Sequence, residues 1–246
     1  MARFTGADDL AGAEFVGTDL RGAWFRESDL GGVRIRGADL TGAEIDGDID
    51  GLRINGVEVA PLVEAELDRR FPERAALRAG DADALRAGWA GLEAMWAPTM
   101  ERVAAMPPGT VDVSVDGEWS FAQTLRHLVF ATDVWLGATI LGRQHALHPI
   151  GVPFPGWREQ VASAVDLDAT PPYESVVEVR AERVAMVRDF LATLTDDRLG
   201  EQCDTPPFVR TRQVPVDQCL WIVMNEEWHH HRYALRDLDA IESGAG

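Results

Sequence analysis

Residues 225–233 read Asn-Glu-Glu-Trp-His-His-His-Arg-Tyr, a run dense in carboxylates and imidazoles. Such donors four residues apart on a helix lie one turn above each other and suit a divalent cation. The run sits inside a helical pattern. Val216, Leu220, Val223 or Met224, Glu227, His231, Leu235, Leu238 and Ile241 follow one another in steps of three and four, which keeps them on one helix face. Glu227 and His231 thus stand where the pattern calls for leucine. An unpaired buried carboxylate is costly, and a metal ion would satisfy both side chains at once. Glu226 and His230 form a second pair at the same spacing. They lie about 100° back around the helix, where the pattern predicts an interface or a supporting role behind the ligands.

A third ligand should come from a facing helix. Thr124, His127, Leu128, Ala131, Trp135, Ala138 and Leu141 mark an inward face, and His127 lies in it. The patterning predicts four long helices, over residues 83–105, 120–141, 173–194 and 215–242. Ser120 followed by Gln123 forms a capping-box pattern, Pro107-Pro108-Gly109 stops the first helix, and Pro215 suits the first turn of the last. Four such helices predict an antiparallel bundle with its site built from inward side chains. The connection over 142–172 is long enough for a rim or lid and carries His145 and His148 as loop residues. His229 is expected to face solvent, and Cys203 to lie in a loop. Cys219 is poorly placed as a ligand. Trp119, Trp135, Trp221 and Trp228 read as core or site-wall aromatics, and Arg236 and Asp237 as a mutual pair.

The chain has 246 residues and a formal net charge of −18. An acidic surface disfavours nucleic acid and anionic membranes. No run approaches the ~20 apolar residues that span a bilayer, and the first residues lack the apolar core of a signal peptide. A cytoplasmic location is the expectation. With only two cysteines, Cys203 and Cys219, a disulfide framework is not expected. All 23 basic residues are Arg, which reads as a high-GC coding bias.

Leu10, Phe15, Leu20, Phe25, Leu30, Ile35, Leu40 and Ile45 recur every five residues. Short side chains stand two positions earlier at most steps. A period of five fits neither helix nor strand and indicates a repeat architecture. The units Gly-Ala-Asp-Leu-Thr, Gly-Thr-Asp-Leu-Arg and Glu-Ser-Asp-Leu-Gly resemble those of pentapeptide-repeat proteins. The resemblance covers about residues 4–57 and implies a short right-handed quadrilateral β-solenoid with the central Leu or Phe pointing inward. Ile49, Leu52, Ile54 and Val57 read as its irregular end, with a capping helix about residues 61–70. Residues 1–57 hold six Arg against eleven Asp and Glu, which is no concentration of the chain's acidity. A cap or a protein-interaction surface is therefore expected rather than mimicry of DNA. The domain expectation is a repeat over 1–57, a capping helix and linker over 58–80, and an all-α four-helix domain over 81–246.

The segments 119–135, Trp-Ser-Phe-Ala-Gln-Thr-Leu-Arg-His-Leu-Val-Phe-Ala-Thr-Asp-Val-Trp, and 226–238, Glu-Glu-Trp-His-His-His-Arg-Tyr-Ala-Leu-Arg-Asp-Leu, together resemble DinB-like metalloproteins. The resemblance covers about residues 81–242. It implies one metal-binding His from the second helix and two ligands at i, i+4 from the last, the second just before an Arg. Carried onto this chain these are His127, Glu227 and His231, with Glu227 where the family usually has His. Two His and one carboxylate form an open triad for Zn, Ni, Fe or Mn. The resemblance further implies a metal-dependent S-transferase that uses a low-molecular-weight thiol, of mycothiol type given the coding bias, and a small-molecule substrate. Two rivals stand beside it. One is a hydrolase using water on the same metal. The other is a non-catalytic stress-response module whose repeat recruits a protein partner or a second copy of the chain.

Overall fold

Four long helices carry the residues singled out above. In chain order the helices of this computed structural model are α1 (Ala60–Arg70), α2 (Pro72–Ala76), α3 (Ala82–Ala104), α4 (Phe121–Thr132), α5 (Arg158–Val161), α6 (Tyr173–Thr193) and α7 (Val216–Ser243). The structure describes residues 2–5, 8–26, 28–78 and 80–244. The long helices begin where local chemistry satisfies their free N–H groups. The Asp81 carboxylate accepts from Ala84 N at the start of α3. At α4 the Ser120 hydroxyl accepts from Gln123 N while the Gln123 side chain accepts from Ser120 N, which is the expected capping box. Pro215 stands just before α7 rather than in its first turn, and Gly244, with φ 70°, closes the helix. Only a residue that tolerates the left-handed region ends a helix so cheaply.

α4 packs on α6 and α7, and α3 packs on the same two helices, so the four close a ring. Inside it lie Leu85, Trp89 and Leu92 of α3, Val187 and Leu191 of α6, and Leu220, Val223, Met224 and Trp228 of α7. A second cluster joins Trp96, Leu125, Leu128, Val176 and Leu238. Each fully buried aliphatic side chain contributes roughly 1.5–3 kcal/mol. Among the described residues no helix is long and apolar enough to cross a membrane.

The second long helix departs from expectation after Thr132. Residues Asp133–Ile140 wind as a π-helix, with one extra residue per turn. The Leu141 N–H accordingly reaches back five residues to Leu136 O, and the Thr139 hydroxyl bonds Val134 O. Asp133, at the junction, is almost fully buried and paired with Arg183 of α6 at 2.8 Å. It also accepts the His148 backbone N–H.

The connection over 142–172 is partly ordered as a 3-10 turn (Pro155–Trp157) and α5. Its first part runs along α4. The Arg126 guanidinium donates to Ile150 O at 2.6 Å, and Val152 N donates to Arg126 O. Gly151 makes that approach possible, since a Cβ there would meet Phe130 Cβ and His148 O at 3.2 Å. Cys203 lies not in a loop but in β3 (Gln202–Asp204), paired antiparallel with β4 (Gln213–Pro215).

The chain divides into two units, Met1–Leu40 and Thr41–Gly246. Residues 41–57, placed above within the repeat, fall in the second of these units. There β1 (Arg53–Ile54) and β2 (Val57–Glu58) form a two-residue hairpin. Its turn is Asn55-Gly56, both at positive φ, the favoured geometry for so tight a connection. In the first unit, turns close between Leu10 and Ala13, Leu20 and Ala23, and Leu30 and Val33. No strand forms among its described residues. The five-residue apolar positions, expected to point into a closed core, keep 43% (Leu10) to 59% (Ile35) exposure. The physical reason is length. Eight short repeat units give each unit few stacked neighbours, and a repeat is buried only by neighbours on both sides.

Candidate metal centre

α7 presents its ionisable residues on two adjacent faces. Glu227 and His231 fall on the core stripe and are almost fully buried, as the periodicity predicts. The structure does not bring them to His127. The Glu227 carboxylate faces Arg180 of α6, whose Nη2 lies 2.5 Å from both its oxygens. Burial pushes the Glu227 carboxyl above its ordinary range, and the neighbouring guanidinium pulls it back. His231 bonds the Thr99 hydroxyl of α3 through Nε2 at 2.9 Å. A further hydrogen bond runs to the Met95 backbone, and Trp96 packs edge-on 4.9 Å away. The expectation that these two side chains need partners holds. In this structure the partners are Arg180 for Glu227 and Thr99 for His231.

His127 instead meets the pair read above as supporting groups. Its Nε2 lies 3.2 Å from Glu226 Oε2, and His230 Nε2 lies 3.1 Å from the same oxygen. Ligand atoms of His127, Glu226 and His230 all lie within 4.8 Å of one another. Among the described residues this is the group of His, Cys, Asp and Glu side chains with metal-ligand spacing. The cluster that His127 joins therefore lies one residue earlier on α7 than the expected pair, Glu227 and His231. α4 faces α7 not along the apolar stripe but at its edge, so the step of about 100° per residue turns Glu226 and His230 toward His127. His127 and His230 are mostly buried, while the Glu226 side chain keeps a third of its exposure, leaving an approach from solvent.

The surroundings orient these groups. His127 Nδ1 lies 2.9 Å from Val152 O. A carbonyl can only accept, so Nδ1 carries the hydrogen. In a neutral imidazole that leaves Nε2 as a lone pair, facing a carboxylate oxygen at 3.2 Å. Two acceptors do not rest against each other without a cation between them, and a proton or a metal ion meets that need. Ligands on a tetrahedral ion bound at ~2.0–2.1 Å are about 3.3 Å apart, close to the separations of Glu226 from each imidazole. The donor set therefore fits a divalent cation. Trp119 forms one wall, its ring 4.5 Å from His127 and stacked on His230 at 5.9 Å. Tyr233 closes another edge against His230 and donates its hydroxyl to Asp46. Burial works against ionisation of Glu226, but His127 and His230, wherever they turn a protonated nitrogen toward it, outweigh burial and hold the carboxyl below its usual range. Burial holds His230 below the ordinary imidazole value.

The remaining candidates lie elsewhere. His229 is half-buried rather than solvent-facing. It packs on Trp228 at 4.9 Å, and burial with nearby Arg74 lowers its pKa to about 4. His145 is exposed, and His148 accepts from Ile150 N. Cys219 is fully buried with its thiol pushed up to about 12 by burial, so it offers no thiolate. Arg236 pairs with Asp237 at 2.7 Å and also with Glu118. Sequence reasoning missed Arg180 and Gly151. Arg180 follows Val176 by four residues and precedes Val187 by seven, a place in an inward stripe that could have revealed it.

Comparison with known proteins bears on this architecture. No curated protein and no solved structure matches the chain. A family model of pentapeptide repeats matches residues 2–42 in eight copies. The model described as the DinB superfamily matches residues 91–234, more than half of the chain. That span runs from within α3 into α7 and holds His127, Glu226 and His230, and with it the chain belongs to the DinB superfamily.

Proposed function

We propose that the chain is a divalent-metal-dependent enzyme that activates a low-molecular-weight thiol, of mycothiol type, for transfer to a small electrophilic substrate. The observation that carries this reading is His127 Nε2 and His230 Nε2 on one Glu226 oxygen, with His127 Nδ1 held by Val152 O. His127, Glu226 and His230 would hold Zn, Ni, Fe or Mn, and such a cation supplies Lewis acidity that lowers the pKa of a bound thiol or water. The chain's own residues do the rest. Val152 O holds the His127 tautomer, an arrangement that typically sharpens ligand orientation and basicity. Trp119 shields one side of the cluster, and the exposed edge of Glu226 leaves room for a further ligand. The closed ring of α3, α4, α6 and α7 supports a four-helix bundle as the scaffold. The domain reading is a repeat over 1–57, a linker over 58–80 and the helical domain over 81–246, working in the cytoplasm.

Elemental analysis of the purified protein beside a His127→Ala/His230→Ala variant tests the metal. About one ion per chain is expected, lost in the variant. A panel of electrophiles offered with thiol then tests the chemistry. Thiol consumption that requires the metal supports a transferase, metal-dependent cleavage without thiol supports the hydrolase, and silence in both sinks the enzymatic reading.

A second reading rests on the repeat. Phe15, Trp24, Phe25 and Ile35 are each more than half exposed, and such side chains suit a protein partner or a second copy of the chain. A short two-coil solenoid covered on binding would bury them. Capture of a partner by the full chain, abolished by Phe25→Glu, supports this role, and an unchanged pattern counts against it.

A further inference from the structure

The connection that leaves the second long helix turns back and runs against α4. Over residues 148–152 it is tied there at two levels. At one level the His148 N–H donates to Asp133 Oδ2 at 2.8 Å. At the other, Arg126 Nε donates to Ile150 O, Val152 N donates to Arg126 O, and Val152 O accepts from His127 Nδ1 at 2.9 Å. Helix positions 126 and 133 stand about 10 Å apart at 1.5 Å per residue, so this short segment spans the distance between its two ties. The stretch between them is itself closed by hydrogen bonds. His148 O accepts from Gly151 N at 3.0 Å, and His148 Nδ1 accepts from Ile150 N at 3.3 Å. A displacement of His148 is therefore passed on to Val152 rather than absorbed on the way.

Asp133 is suited to fix His148. It is 1% exposed, its other oxygen is held by Arg183 Nε of α6 at 2.8 Å, and a carboxylate accepts hydrogen bonds roughly twice as strong as neutral ones. It also opens the π-helical stretch Asp133–Ile140, a winding often found at functional sites. We propose that Asp133 is a positioning residue for His127: its carboxylate sets His148, the hydrogen-bonded turn over 148–151 carries that setting to Val152, and Val152 O fixes the imidazole with Nε2 turned to Glu226. A purely structural ion pair between helices needs only Arg183 and the first oxygen. The second oxygen, given to a backbone N–H of the connection, serves the turn. The hold on the imidazole is independent of any metal, and its consequence for metal affinity rests on the metal-dependent function proposed above.

Two double variants separate the acceptor from the ion pair. Asp133→Asn/Arg183→Leu removes the pair and keeps an oxygen for His148 N. Asp133→Leu/Arg183→Leu has the same charge and nearly the same shape but keeps no acceptor. Neither leaves a buried charge unpaired, so both are expected to fold, as thermal melts will report. The first readout is the His127 Nδ1–H proton resonance of the metal-free full-length protein and its exchange with water. The second is the dissociation constant for zinc. The first double variant is expected to match the parent in both. The second is expected to lose the resonance to fast exchange and to bind zinc about 10- to 100-fold more weakly. The inference is overturned if the two variants behave alike in the proton resonance, whether both keep it or both lose it. A lost resonance with the parent's zinc affinity overturns it too. A parent protein that binds no zinc sinks the metal reading instead, and the Nδ1–H resonance then decides the role of Asp133 by itself.

Discussion

Two faces of α7, one residue apart, treat the same chemistry in opposite ways. On the core stripe Glu227 meets Arg180 and His231 meets Thr99, so each polar group is answered by a neighbouring helix. On the next face Glu226 and His230 meet His127 of α4, with their ligand atoms within 4.8 Å of one another. A buried carboxylate always needs an answer. When a guanidinium supplies it the result is structural. When the answer is two imidazoles, one with its Nδ1 held by a backbone carbonyl, the donor set suits a metal ion.

The largest expected effect breaks the structural face. Arg180→Met leaves Glu227 buried without its partner and should destabilise the protein by about 3–5 kcal/mol, read from chemical denaturation. A smaller loss would mean that Glu227 takes up a proton instead. Exchanging the two glutamates one at a time sharpens the contrast. Glu226→Gln should lose the metal while changing the stability of the metal-free protein by about 1 kcal/mol or less. Glu227→Gln should keep the metal and lose stability. With metal present at a hundredfold excess over its Kd, the parent gains about 2.7 kcal/mol that the Glu226→Gln variant should not show. The reverse pattern would return the site to the core stripe.

Gly151→Ala probes the hold on His127 at one remove. The added Cβ would press on Phe130 and His148 O and shift the Val152 carbonyl. Metal affinity should fall about 10- to 100-fold, the usual range for groups behind the ligands, with every ligand still present. Unchanged affinity would make the Val152 contact incidental. The gentlest probe is pH. Protons compete with metal for the same lone pairs. Because burial lowers the His230 pKa from its ordinary 6.5, that ligand stays deprotonated at pH 7. Metal should be retained there and released progressively as pH falls below about 6.5, and release on raising pH through the same range would contradict the assignment.

Much of the fold was legible because helix signals are local. Ser120 with Gln123 announces the start of α4, and the stripe from Val216 to Leu238 announces both α7 and its buried face. The π-helical stretch was not legible, because it answers to contacts of Asp133 with Arg183 and with the His148 backbone from distant parts of the chain. The inward-facing repeat positions were read from a period that fixes register. Burial depends instead on how many units stack on one another, and here Leu10 to Ile35 stay exposed.

For the candidate site, the sequence by itself determined the donor types, their spacing and the helices that carry them: His127 on α4 and two Glu–His pairs on α7. Only the tertiary structure decided which pair meets His127. Periodicity reports the face of a helix that is buried, summed over all its neighbours. It does not report which neighbour lies opposite a given residue, and here a rotation of one residue separates an ion pair with Arg180 from the cluster with metal-ligand spacing.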